Sequence, residues 1–259
     1  MKNILIFTVH KAGSMFLHRL TKDVAKEFRI PYYSINDDRY YEEIRSSSWK
    51  SFIEDGDKQG CFGPIRAGVT NAIFPDNLSE YSILLHLRDP RDVLTSLFYS
   101  SIYNHPRQKG RYDPGDEKIK EWEKMGIDRF VLEQLPPLKE NYQLLCNALL
   151  GNSKSHLLKY EDMVLSYTSW LDNFLAAFSH LEVPPAGWPP LIRLPNSEER
   201  IKDRLVRKYR DDFTPPRAED IYSHKRRITP GDYRDKLGPD TIEVLNRELG
   251  AILDTLSYR

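Results

Sequence analysis

The chain has 259 residues, 40% of them apolar and 29% charged, the balance of a soluble globular protein with length enough for a large core. Its 38 basic residues are matched by 38 acidic ones, so no long-range field is available to capture nucleic acid or an anionic membrane, and any basic site has to be local. The two cysteines, Cys61 and Cys146, join no histidine motif and define neither a disulfide framework nor a zinc site.

These totals predict one domain over residues 1–259, in a reduced, cytoplasmic setting. The first apolar run, Ile4 to Val9, falls far short of the roughly 20 residues of a membrane span and carries no small-residue cleavage pattern. It breaks at His10-Lys11-Ala12-Gly13-Ser14, and a segment with Phe16, Leu17, Leu20, Val24 and Phe28 at helical spacing follows at once. Strand, tight turn and helix in that order make an anion site. The helix start offers unpaired N–H groups and the positive end of its dipole. Lys11 adds a full charge, Gly13 a close backbone approach, and Ser14 a hydroxyl.

Pro31 is expected to end that helix. Tyr32 to Lys50 reads as loop plus a short helix, and a weak strand is expected near Pro64 to Ala67. Tyr81 to Arg88 is a second apolar strand, suited to a parallel sheet covered on both faces. Asp89-Pro90 then reads as N-cap and first residue of a helix through Val93, Leu94, Leu97 and Phe98. Ser100 to Met125 is polar and irregular, the composition of a lid or binding loop. Phe130 to Leu150 is predicted helical despite Pro136-Pro137. Ser155 to Tyr160 is a third strand, followed by a helix over Tyr167 to His180. A proline-rich loop and a charged helix, Ser197 to Asp212, come next. Arg217 to Lys236 is irregular and basic at its centre, and one amphipathic helix is expected over Asp240 to Leu256. Strands alternating with helices predict an α/β fold around a parallel sheet, with ligands beyond the carboxyl ends of the strands.

A nucleoside triphosphatase loop would need G-x-x-x-x-G-K-[ST]. Here Lys11 precedes Gly13 and no glycine stands upstream, which argues against a P-loop kinase. The stretch HKAGSMFL instead resembles the 5′-phosphosulfate-binding loop of the PAPS-dependent sulfotransferases, usually PKSGTTxL. Three further stretches resemble that family's motifs in its own order. LRDPRDVLTSLFY, Leu87 to Tyr99, is similar to the segment whose arginine and serine bind the 3′-phosphate, matching Arg88 and Ser96. LKYEDM resembles the stretch whose tyrosine contacts adenine, matching Tyr160. RRITPGDYRDKL resembles the closing 3′-phosphate clamp, matching Arg226 and Arg227, with Ile228 where the family has glycine and Tyr233 where it often has tryptophan.

The resemblance implies a P-loop-type three-layer α/β/α fold with a central parallel sheet. It also implies an enzyme that moves a sulfuryl group from 3′-phosphoadenosine 5′-phosphosulfate (PAPS) to a hydroxyl or amine of a small molecule, with PAP as product. Lys11, Ala12, Gly13, Ser14 and Met15 would hold the 5′ end; Arg88, Ser96, Tyr160, Arg226 and Arg227 would hold the rest. Lys11 would also stabilise the leaving oxygen. Cytosolic members place their base in a K-T-H-x-P setting, and residues 63–74 here contain no histidine. The candidates are therefore Asp38 or Asp37 after the first helix, as in other branches, and then His10 beside the lysine. No metal is implied, and no motif speaks to oligomeric state. A nucleotide-binding protein that lost its chemistry remains the alternative from a different class.

Overall fold

The computed structural model describes residues 3–55, 58–68, 73–104, 115–179, 197–214, 220–222 and 228–258. Its sheet is built from the apolar runs. β1 (Ile4–Thr8) is buried at every position and leads into α1 (Ser14–Phe28). That helix buries Phe16, Leu17, Leu20 and Val24, so the helical spacing in the sequence marks its core face. It ends earlier than Pro31 requires. Arg29 turns left-handed at φ 54° and its N–H bonds back to Ala25 and Lys26, closing the last turn.

The segment expected to hold one helix holds a two-residue edge strand, β2 (Tyr32–Tyr33), and two helices, α2 (Asp38–Ser46) and α3 (Trp49–Glu54). β3 (Cys61–Arg66) starts earlier than its pattern suggested, and β4 (Ser82–Leu87) is fully buried. α4 (Pro90–Tyr99) begins as expected, with the Asp89 carboxylate accepting from the Arg91 N–H and Pro90 in the first turn. Asp116–Met125, expected to be irregular, forms α5. α6 (Ile127–Leu149) runs through Pro136 and Pro137. β5 (Ser155–Lys159) stops one residue before Tyr160, which instead opens α7 (Tyr160–Leu165); α8 (Tyr167–Ser179) and α9 (Ser197–Tyr209) follow. A single turn, α10 (Tyr233–Lys236), precedes the C-terminal stripe, which is two helices, α11 (Pro239–Glu248) and α12 (Gly250–Thr255), broken at Leu249.

All strand pairs are parallel, in the order β2-β3-β1-β4-β5. This is the helix-flanked parallel sheet of a P-loop-type α/β/α fold. The chain divides into two compact units, each made of two segments: Met1–Leu87 with Leu145–Asp212, and Arg88–Leu144 with Phe213–Arg259. The first contains the whole sheet. Among α1, α8 and α9 it holds an aromatic cluster in which Phe16 meets Tyr167, Trp170 and Tyr209 edge-on or tilted at 5.2–6.4 Å. In the second, Phe130 packs edge-on against Phe98 and Trp122.

Candidate anion-binding site

The turn after β1 carries two left-handed residues in a row of three, Lys11 at φ 62° and Gly13 at φ 77°. Glycine takes that conformation freely, whereas lysine does so at a cost of about 1 kcal/mol. Gly13 is the N-cap of α1, with no side-chain cap and no acidic residue in the first turn. Helix geometry leaves the first-turn N–H groups without intrahelical partners, and the dipole makes that end positive. Lys11 is half-buried beside this end, Ala12 and Ser14 are buried, and His10 and Met15 are exposed.

Gly13 also explains how Tyr160 joins the loop. A Cβ at position 13 would lie 3.2 Å from Met163 Cε and 3.4 Å from Tyr160 Cε2. The tyrosine that opens α7 is thus packed directly against the anion-binding turn, and a side chain at Gly13 would stand between them. Two stretches nearly 150 residues apart in the sequence meet at one point.

Beneath the turn lies His86, fully buried in β4 with its ring edge-on to Trp170 at 5.5 Å. Neither ring nitrogen makes a hydrogen bond of normal geometry. Burial pushes its pKa down, to about 3, while the Ala12 backbone pulls the other way. A group that raises a basic pKa is an acceptor, so it is the Ala12 carbonyl that faces the imidazole.

The base candidates occupy different surroundings. Asp37 is the N-cap of α2; its carboxylate accepts from the Arg39 N–H at 3.2 Å and from the Arg39 guanidinium at 3.0 and 2.8 Å. That guanidinium holds its pKa down to about 2, so Asp37 is a weak base. Asp38 is exposed in the first turn of α2. The sequence reading overlooked a polar chain from α1 to β3: His18 Nδ1 lies 2.9 Å from the Tyr32 hydroxyl, which donates to the Gly63 carbonyl at 2.8 Å. Burial first, then Lys22, lowers the His18 pKa against an upward pull from Asp37, leaving a neutral imidazole at pH 7. Arg66, at the end of β3, was overlooked as well. A strand-terminal cation on the third strand, at the end of the sheet where ligands bind, was the available signal.

In the second unit, Arg88 is buried and its carbonyl accepts from the Tyr142 hydroxyl. Its Nη2 stands 3.8 Å from Asp92, a long contact. The Asp92 carboxylate is engaged by backbone instead, accepting from Gly231 N–H at 2.7 Å and Tyr233 N–H at 3.0 Å. It anchors Gly231 and Tyr233 of the closing motif to α4. Arg91 is structural, forked onto Asp89 and bonded to Asn246 and the Tyr258 carbonyl. Ser96 is half-buried two turns along α4 from Arg88. Arg226 and Arg227 lie outside the described residues. Among the described residues no helix is long and apolar enough to cross a membrane, and no three metal-ligating side chains gather.

The fold is that of a sulfotransferase. The chain is similar in structure to a mouse sulfotransferase, SULT7A1, solved with PAP: 13% identity, 97% of this chain and 84% of that one covered, TM-score 0.54. A retinol dehydratase solved with retinol and PAP gives 13% identity, coverage of 98% and 82%, and a TM-score of 0.48. No family model and no curated protein matches by sequence.

Proposed function

We propose that the protein is a PAPS-dependent sulfotransferase acting on a hydroxyl or amine of a small molecule. The observation that carries this reading is the contact of Gly13 with Tyr160, since a nucleotide bound by its 5′ end at α1 needs a base platform close to the loop. The uncapped, positively charged start of α1 suits the phosphosulfate end of such a ligand. The PAP bound to the mouse protein of like fold is consistent with this.

Lys11, the amides of Ala12 to Met15 and the Ser14 hydroxyl would hold the 5′ end, and Tyr160 the adenine. By the sequence resemblance, Arg88, Ser96, Arg226 and Arg227 would take the 3′-phosphate, where arginine can bind in a fork. When bound, PAPS supplies the activated sulfuryl group. Lys11 would stabilise the negative charge that forms as the sulfuryl group leaves, a task in which one preorganised donor contributes about 3–4 kcal/mol. The acceptor proton goes to Asp38, His10 or Asp37, with Asp37 the weakest base because Arg39 holds its carboxylate so low.

The test is calorimetric titration with PAP, followed by incubation with sulfur-labelled PAPS and a metabolite extract. Saturable PAP binding and a labelled product are expected. Absence of PAP binding refutes the reading. Binding without transfer to any acceptor would favour a silent nucleotide-binding protein, and transfer that demands ATP and Mg²⁺ would favour a kinase.

A further inference from the structure

Arg66 carries a charge that no described residue neutralises. It is the last residue of β3, and its Cα partner is Thr8, the last residue of β1, so it stands one strand from the anion-binding turn. Partners in a parallel ladder share a face, which puts Arg66 on the face that Thr8 presents. The residue is half-buried and its Nε is fully covered with no hydrogen-bond partner. No carboxylate among the described residues lies within ion-pair reach of it. Arg91, by contrast, meets Asp89 at 2.6 Å. Burial lowers the Arg66 pKa, yet a guanidinium stays charged at any working pH. A desolvated, unpaired guanidinium is costly, and an oxyanion from outside would relieve that cost.

The strand order says which ligand brings it. Tyr160 follows β5, so from the β1 turn the nucleotide would extend over β4 towards β5. Arg66 lies on the opposite side, with β2 and the His18–Tyr32–Gly63 chain. Because the Tyr32 hydroxyl donates to Gly63, His18 donates through Nδ1 and keeps Nε2 as an acceptor, a group that can orient a substrate hydroxyl. We propose that Arg66 receives an anionic substituent of the acceptor, a carboxylate or phosphate, and that the protein selects hydroxyl compounds carrying one. This rests on the sulfotransferase reading above.

Matched probes test it: 4-hydroxybenzoate against its methyl ester, and glucose 6-phosphate against glucose, titrated with and without PAP. The readout is the Arg66 Nε–Hε NMR signal, assigned by its loss in Arg66→Gln. At least one acid is expected to shift that signal while its neutral counterpart does not. Arg66→Gln should weaken that acid at least about tenfold and leave PAP affinity within about twofold. The proposal is overturned if neither acid moves the signal, if Arg66→Gln leaves acid binding unchanged, or if it weakens PAPS but no acid, which would assign the guanidinium to the transferred sulfuryl group. Failure of PAP binding sinks the sulfotransferase reading instead, and the nucleotide-free titrations still decide Arg66.

Discussion

Replacing His86 with phenylalanine should flatten the acid side of the stability profile by an amount that the burial of the ring sets. An unfolded histidine takes up its proton near pH 6.5, whereas the folded His86 does so only near 3. Between those values the unfolded chain binds one more proton than the folded one. Stability therefore rises with pH through this window and is lost as pH falls below about 6.5, at a slope of about 1.3 kcal/mol per pH unit. Taken from about pH 7.5 to about pH 5, His86 alone costs roughly 2 kcal/mol. For a chain of this size that corresponds to about 4–8 °C in Tm. Phenylalanine keeps a ring against Trp170 and removes the titration. Urea denaturation of both proteins at the two pH values isolates the residue, because every other group cancels in the double difference. Equal pH dependence in the two proteins would refute the reasoning, and with it the claim that a neutral imidazole underlies the Ala12 turn.

Lys11→Ala should lower turnover at least on the order of a hundredfold by label transfer from PAPS, while PAP still binds; near wild-type turnover removes Lys11 from the chemistry. Gly13→Ala forces a methyl into a left-handed position 3.2 Å from Met163 Cε. We expect a loss of about 1–2 kcal/mol in denaturation and weaker PAP binding by calorimetry, with Met163→Ala in addition restoring only the steric part. Asp92→Ala leaves the half-buried Gly231 and buried Tyr233 amides without their acceptor. It should cost about 2–4 kcal/mol and speed hydrogen exchange at those two amides; unchanged exchange would show that α4 does not anchor them.

The elements readable in the sequence were those whose signal is local. β1 and β4 are apolar runs, and the Asp89-Pro90 start of α4 is a capping pattern contained in two residues. β2 could not be read this way, being two tyrosines long and a strand only because β3 pairs with it. Asp116–Met125 was misjudged as irregular because its charged composition hides a helix whose ends are two glycines, Gly115 and Gly126. The C-terminal stripe of leucines runs unbroken through a real break at Leu249, since a side-chain period of three and four survives a change in backbone direction.

By itself the sequence determined the strand–turn–helix at Lys11 and the motifs placed around it, because those depend on residue type and near spacing. Only the tertiary structure decided which of them touch. It set Tyr160 against Gly13, turned the His86 ring towards Ala12, bound Asp37 to Arg39 at the expense of its basicity, and left Arg66 at the end of β3 with its charge unmatched by any described residue. Each of these depends on what lies across a sheet or beyond a turn, and burial, pairing and pKa are properties of such neighbours rather than of a residue's own place in the chain.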